Sequence, residues 1–281
     1  MLLKEALNKA QKELMKINPE SYYLEAEILL SITLGIERAK IYSVDSLDED
    51  QEKRFKYLLK KRLQGTPISY LQKKRYFYDL ELEIEEGVFI PRPETELLLE
   101  KSFEIINKKK INSVAEIGVG SGNIAIPLAL KFSNLKIFAC DISPYALKIS
   151  KKNAKKYNVE NKIEFFMGPY LYPILLRNIQ VDLIISNPPY VSSKEMVWVS
   201  EEVKKEPWNA LYGGFDGCNF YREIFKEIKR LTKGILLLEI SPFILDRLQK
   251  IMGLYFKDYL LEVYKDFLGK ERVIKIEWQN I

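Results

Sequence analysis

Asn187-Pro188-Pro189-Tyr190 directly follows the apolar run Val181 to Ser186, and residues of these types in this order can bind and reshape a planar NH₂ group. An amide or exocyclic amino nitrogen is a poor nucleophile, because its lone pair is delocalised into the adjacent π system and no side-chain base deprotonates it at neutral pH. If the Asn187 side-chain oxygen and the Pro188 carbonyl each accept one N–H, the nitrogen is drawn toward a pyramidal geometry with its lone pair aimed at an electrophile. The prolines fix φ and offer no competing N–H, which leaves the Pro188 carbonyl aimed at a ligand. Tyr190 adds a flat face for a planar amide or base. In any protein the same tetrapeptide would also end a strand as a plain turn. The chain contains no histidine, which excludes Ser-His-Asp or Cys-His nucleophilic catalysis of the usual kind and most His-based metal sites. A methyl transfer that needs no general base fits that absence, and no metal is expected.

Upstream, Ala115-Glu116-Ile117-Gly118-Val119-Gly120-Ser121-Gly122-Asn123 reads as an apolar strand entering a glycine-rich turn and then a helix. Glycine lets the backbone turn sharply and approach a ligand. A second strand ends in Asp141, 19 residues beyond Gly122, a position suited to a carboxylate that grips ribose hydroxyls. Such a turn by itself would equally hold a dinucleotide or cap a helix. The order strand, glycine turn, helix, strand, Asp, helix is that of a nucleoside-binding βαβ unit. A dinucleotide dehydrogenase needs a pyrophosphate site and a hydride site, whereas the Asn187 loop supplies a pocket for NH₂. S-adenosyl-L-methionine joins the two elements, because its methyl group sits on a sulfonium and in-line transfer needs alignment and a dry site.

The elements that must position these groups fit a chain of 281 residues, 47% hydrophobic, with a net charge of +5. That length suits a main domain plus a smaller one. No apolar run reaches the roughly 18 residues of a membrane span, and the N-terminus reads as an amphipathic helix, so a soluble, cytoplasmic protein is expected. Cys140 and Cys218 match no metal spacing and are expected to be reduced. Residues 1–75 read as a helical bundle. Leu3, Leu7, Ala10, Leu14 and Ile17 fall at helical spacing, Asn18-Pro19 and Gly35 bound a second helix, and Ser46 with Glu49 forms a capping box. Phe55, Leu58, Leu59 and Leu63 form the apolar face of that capped helix, which Gly65 stops. Alternation through Tyr76, Tyr78, Leu80, Leu82 and Ile84 predicts a hairpin in a linker over 76–92. From 93 to 281 the pattern is α/β. Strands are predicted at 113–117, 135–140, 163–167, 181–186 and 234–240, helices near 93–106, 123–132, 144–157 and 219–231, and an antiparallel edge hairpin from 259–264 and 272–278.

The tetrapeptide with the glycine turn resembles the class I S-adenosylmethionine-dependent amino-methyltransferases, a Rossmann-like fold with a mostly parallel sheet and an antiparallel edge. Two further segments, Val88 to Glu96 (VFIPRPETE) and Glu206 to Gly217 (EPWNALYGGFDG), are similar to signature stretches of the HemK/PrmC family. Members of that family methylate N5 of the glutamine in the Gly-Gly-Gln motif of class I peptide-chain release factors. The resemblance implies that Asn187, Pro188, Pro189 and Tyr190 form the catalytic loop, with Asn187 and Pro188 holding the glutamine amide, Tyr190 packing on it and Phe89 lining the pocket. It further implies that Gly118, Gly120 and Gly122 accommodate the cofactor's methionine end and Asp141 its ribose. Thr95 is placed near the cofactor's carboxylate, with Glu116, Met167, Gly168 and Asn187 along the same site. Glu206 and Asp216 are expected to brace their loop, and Glu116 to order the glycine turn. The chain departs from the family pattern at Met167-Gly168-Pro169-Tyr170, where relatives often carry an acid for the adenine amino group, and at Ser241-Pro242, where they commonly have glycine. The implied partners are class I release factors met by a monomer, with no membrane and no stable nucleic-acid binding. Alternatives are a nucleic-acid amino-methyltransferase, since adenine N6 and guanine N2 pose the same problem, a ribosomal-protein glutamine methyltransferase, or a non-catalytic nucleotide-binding scaffold. Residues 53–75 contain Lys53, Arg54, Lys56, Lys60, Lys61, Arg62, Lys73, Lys74 and Arg75 without one acid, which is either a solvated face or a surface that docks an acidic patch of the release factor.

Overall fold

The computed structural model describes residues 1–229, 231 and 233–279. Two compact units emerge: Met1–Lys74 with the short segment Ser200–Lys205, and Arg75–Val199 with Glu206–Ile281.

The first unit contains α1 (Leu3–Leu14), α2 (Tyr22–Leu34), α3 (Glu49–Leu63) and α4 (Ile68–Gln72), with a 3₁₀ turn at Arg38–Ser43. Leu3, Ala6, Ala10 and Leu14 of α1 pack with Ala26, Leu29 and Leu30 of α2 and Phe55, Leu58 and Leu59 of α3. Each such leucine contributes about 1.5–3 kcal/mol by leaving water. Gly35 ends α2 in the left-handed conformation that its missing Cβ permits, at φ +69°. Several expected boundaries shift. Asp48, not Ser46, caps α3: its side chain accepts from the Gln51 amide at 2.8 Å while Gln51 Oε1 accepts from the Asp48 amide at 3.0 Å. Ser46 is instead bridged to Leu2. Asn18-Pro19 does not cap α2 either, because the Asn18 side chain donates to Ser21 and to Glu25 and the helix starts only at Tyr22. Ile17 lies beyond the end of α1 and is exposed.

The basic segment needs one correction. Arg62 is not a surface charge: it is buried, and its guanidinium donates to Glu25 at 2.7 and 2.9 Å and to Glu202 at 2.8 Å. Lys53 and Lys56 pair with acids one turn earlier on α3.

In the second unit, β1 (Lys74–Phe77) and β2 (Leu80–Glu83) make the hairpin. Leu80, Leu82 and Ile84 are buried as expected, but Phe77 is buried and Tyr76 exposed, because the turn at Tyr78, φ +52°, resets which face each residue meets. Asn153 of α7 (Pro144–Lys156) ties this hairpin down, accepting from the Glu83 amide at 2.8 Å and donating to the Glu83 carbonyl at 3.0 Å. The main sheet has seven strands in the order β5-β4-β3-β6-β7-β9-β8. These are β3 (Ser113–Ile117), β4 (Lys136–Asp141), β5 (Ile163–Met167), β6 (Leu183–Ser186), β7 (Lys233–Glu239), β8 (Tyr259–Lys265) and β9 (Glu271–Gln279). The first five pair in parallel, and β9 runs antiparallel to both β7 and β8. Alternate residues of each strand face opposite sides. Val114, Ile137, Ile185 and Leu237 pack under α5 (Thr95–Lys109), α6 (Ala125–Lys131) and α7. Ala115, Phe138, Ile184 and Leu236 pack against α8 (Tyr172–Leu175), α10 (Asn219–Ile228) and α11 (Leu245–Met252). A single turn, α9 (Trp208–Leu211), falls between α8 and α10 in the chain. The helix predicted to reach residue 231 is seen to Ile228; Arg230 lies outside the described residues. Because β4 and β6 flank β3 on opposite sides, the strand order reverses at β3/β6, where the C-terminal strand ends open a crevice.

Candidate active site

The turn leaving β3 carries Gly118, Gly120 and Gly122 at φ +75°, +55° and +87°. At Gly122 a Cβ would also lie 2.7 Å from Ile126 Cδ1, so the helix sits directly against the turn. Asp141, at the end of β4, faces this turn. Its Oδ2 accepts from the Gly120 amide at 3.0 Å and its Oδ1 from the Ser143 amide at 2.8 Å. Burial raises its pKa, against the pull of those amides. Met167 is paired beside Asp141 on β5 and is exposed, and the Gly168 amide donates to the Asp141 carbonyl at 3.0 Å. Glu116 is fully buried, neither carboxylate oxygen has a hydrogen-bond partner among the described residues, and burial raises its pKa well above the carboxylate range.

The Asn187 loop leaves β6, whose Ser186 hydroxyl donates to the Ile117 carbonyl of β3 at 2.7 Å. Asn187 Nδ2 donates to Thr95 Oγ1 at 2.9 Å, so the amide's other end, Oδ1, is the one left to accept. Pro188 is buried, and among the described residues no backbone amide donates to its carbonyl. The segment after Glu206 runs beneath the loop. Val191 donates to the Leu211 carbonyl and Gly213 to the Val191 carbonyl, each at 2.9 Å. A Cβ at Gly213 would sit 2.8 Å from the Pro189 oxygen, and one at Gly217 2.5 Å from the Tyr190 oxygen. The two acids assigned to this segment brace it. Glu206 Oε2 accepts from the Ile90 amide at 3.0 Å and Oε1 pairs with Arg92. Asp216 pairs with Arg222, which holds its pKa down to about 2. Phe89 is half-buried under the Arg92 guanidinium, 4.9 Å from the ring centre. Thr95, at the start of α5, is completely buried with its hydroxyl turned to Asn187. Cys140 and Cys218 are buried free thiols, Cys140 pushed up to about 12 by burial.

One residue of the cluster was missed from the sequence. Glu239 ends β7 and is buried; its Oε1 accepts from the Tyr190 hydroxyl at 3.3 Å, and its Oε2 has no partner among the described residues. Burial pushes this carboxyl up to about 7, opposed by the Thr95 and Tyr190 hydroxyls. An acid closing the otherwise apolar run Ile235 to Leu238 at the crevice was the signal that could have found it.

Two family models match the chain, the PrmC N-terminal domain over residues 5–72 and the methyltransferase small domain over residues 87–211. A release factor glutamine methyltransferase of Dictyoglomus turgidum is 48% identical over 277 residues, covering 98% of each chain. The chain belongs to the release factor glutamine methyltransferase family. The family's Bacillus subtilis member is 35% identical, with 89% of each chain covered. Among solved structures, the catalytic domain of hMettl16 in complex with a MAT2A 3′UTR hairpin superposes with a TM-score of 0.57 at 13% identity, covering 80% of this chain and 82% of that one. That likeness speaks for a shared methyltransferase fold.

Proposed function

We propose that this methyltransferase moves the methyl group of S-adenosyl-L-methionine to N5 of the glutamine in the Gly-Gly-Gln motif of class I peptide-chain release factors. The observation that carries the reading is the pair of acceptors at the crevice: Asn187 with its NH₂ engaged by Thr95, and Pro188 with a carbonyl that no backbone amide claims among the described residues. Two acceptors side by side are what a primary amide's two N–H groups require.

The residues also fit the cofactor. The glycine turn exposes backbone for close approach, and Asp141 keeps lone pairs available to ribose hydroxyls after accepting two amides. Glu116 is a buried carboxyl beside the same turn with no hydrogen-bond partner among the described residues, and a cationic ligand there would favour its ionised form. Met167 and Gly168 adjoin Asp141, where a base attached to the ribose would rest. When bound, S-adenosylmethionine supplies an electrophilic methyl on a sulfonium.

The chain's own residues then do three things. Asn187 Oδ1 and the Pro188 carbonyl accept the two N–H groups and hold the nitrogen lone pair toward the methyl. Tyr190 and Phe89 pack on the flat amide and keep water away. The clamp through Gly213 and Gly217 stops the loop from yielding as the nitrogen changes shape. The helical unit is assigned to docking the release factor, using the exposed lysines of 53–75 and not Arg62. Transfer of labelled methyl to purified release factor, its Gly-Gly-Gln glutamine variant, RNA and DNA tests the proposal. Label on the wild-type factor alone is expected, and label on nucleic acid instead would replace this reading with an amino-methyltransferase of bases.

A further inference from the structure

Asn187 works only if its oxygen, not its NH₂, faces the incoming amide. Thr95 does not settle that choice by itself, because a hydroxyl both donates and accepts. Presenting its oxygen lone pairs, it holds the Asn187 NH₂. If it donated its hydrogen to Asn187, the side chain would turn over and offer N–H to N–H. Thr95 is completely buried and its hydroxyl oxygen already accepts from Asn187 Nδ2 at 2.9 Å, so its own hydrogen needs a different acceptor. The Glu239 carboxyl supplies one, since the Thr95 hydroxyl reaches it and opposes the effect of its burial. Its Oε1 also receives the Tyr190 hydroxyl at 3.3 Å, and its buried Oε2 has no other donor among the described residues. The Tyr221 hydroxyl donates to the Glu239 backbone carbonyl at 2.8 Å and so fixes the strand end without using the carboxyl. An ionised carboxylate can only accept, so it sets the direction of every hydrogen bond leading away from it.

We propose that Glu239 is a positioning residue that, through the Thr95 hydroxyl, fixes which end of the Asn187 amide faces the substrate, and through Tyr190 OH holds the ring beside it. The inference rests on the glutamine-methylation reading above and extends it by a residue that touches neither substrate nor cofactor. Polarity, not volume, is the point. In Glu239→Gln the side chain keeps its shape, but its NH₂ can donate to Thr95 Oγ1. That sends the Thr95 hydrogen to Asn187 Oδ1 and turns the amide.

The test uses the full-length enzyme at pH 8 with Glu239→Gln, Thr95→Val and the double variant. Turnover on release factor should fall about tenfold or more in each single variant, the scale of a misplaced catalytic group, while KM for S-adenosylmethionine stays within about twofold. The double variant should be no slower than the slower single, since both cut one relay. Independently of activity, ¹⁵N NMR of the free enzyme should show slow solvent exchange of the Asn187 side-chain NH₂ protons in the wild type and faster exchange in both variants. Wild-type turnover in Glu239→Gln, or losses that multiply in the double variant, would overturn the relay. Should Glu239→Gln fail to fold, Thr95→Val with the exchange measurement decides alone. If the wild type transfers nothing to release factor, the function fails while the exchange data still judge the relay.

Discussion

Glu25 in the helical unit and Glu239 in the catalytic unit are both buried, yet their surroundings differ completely. Glu25 receives two bonds from Arg62, one from Asn18 at 2.8 Å and one from Ser21 at 3.2 Å. Glu239 meets only hydroxyls, a long bond from Tyr190 and the Thr95 contact, and neither Glu116 oxygen has a hydrogen-bond partner among the described residues. A buried carboxylate that is fully paired is a structural tie, and breaking it leaves an isolated charge. One left partly unpaired weakens the fold and persists where ligand or chemistry needs the spare valence. By that contrast the paired acid ties the helical unit together, while the acids with spare valence lie on the strands that carry the glycine turn and face the Asn187 loop.

The sharpest break in this contrast is Arg62→Ala, which strands Glu25 without its cation and should cost about 3–5 kcal/mol of stability. Urea unfolding would register it as an earlier transition, while cofactor affinity of the folded protein stays put. An unshifted midpoint would mean that the pair is not a tie. Next in size, Asn187→Ala removes one of two acceptors and should slow turnover by roughly 10²–10³ with cofactor affinity nearly kept. Stopped-flow or steady-state assays that show near-normal turnover would end the two-acceptor mechanism.

The third expectation concerns pH. The Glu239 carboxyl is raised to about 7 in the fold from an ordinary 4.5, chiefly by burial. The folded form therefore holds a proton that the unfolded chain has already released. Its stabilising contribution is complete below the ordinary value and is lost as pH rises through about 7, a swing of about 3 kcal/mol. Glu239→Gln should flatten that part of the stability profile and match or exceed the wild type at pH 8, even as it slows turnover. A thermal-melt series from pH 4.5 to 8.5 with parallel slopes for both proteins would contradict it. The smallest effect belongs to Asp141→Ala, expected to weaken S-adenosylmethionine binding by about 1.5–3 kcal/mol, the range for hydrogen bonds to a charged group. Calorimetry that finds the affinity intact in a folded variant would take Asp141 out of the site.

What could be read along the chain was whatever a short stretch determines by itself. Apolar runs closed by a glycine turn or by Asn-Pro announce strand ends, so β3, β5 and β6 fell near their true places, and the offset from Gly122 picked out Asp141, an acid that does face the glycine turn. What escaped depends on partners distant in sequence. Lys60, Lys61 and Arg62 look alike in a charge run, and only the position of Glu25 on another helix buries one of them. Glu239 reads as the end of a hydrophobic strand until α5 sets Thr95 beside it. Ser46 and Asp48 both precede α3, and the contact of Leu2 with Ser46 favours the second as cap. At Tyr76 and Phe77 the alternation was right in period but wrong in phase, since the turn between the strands shifts it.

The glycines beneath the Asn187 loop limit how this enzyme could be adapted to other amides. Every substitution at Gly213 or Gly217 adds at least one carbon, and that carbon would meet the backbone of Pro189 or Tyr190 at 2.8 Å or less. The loop's main chain therefore has no slack to retreat from a bulkier acceptor. Any widening of scope, in the laboratory or over evolutionary time, must come from side chains and not from this stretch of main chain, while these two codons stay fixed.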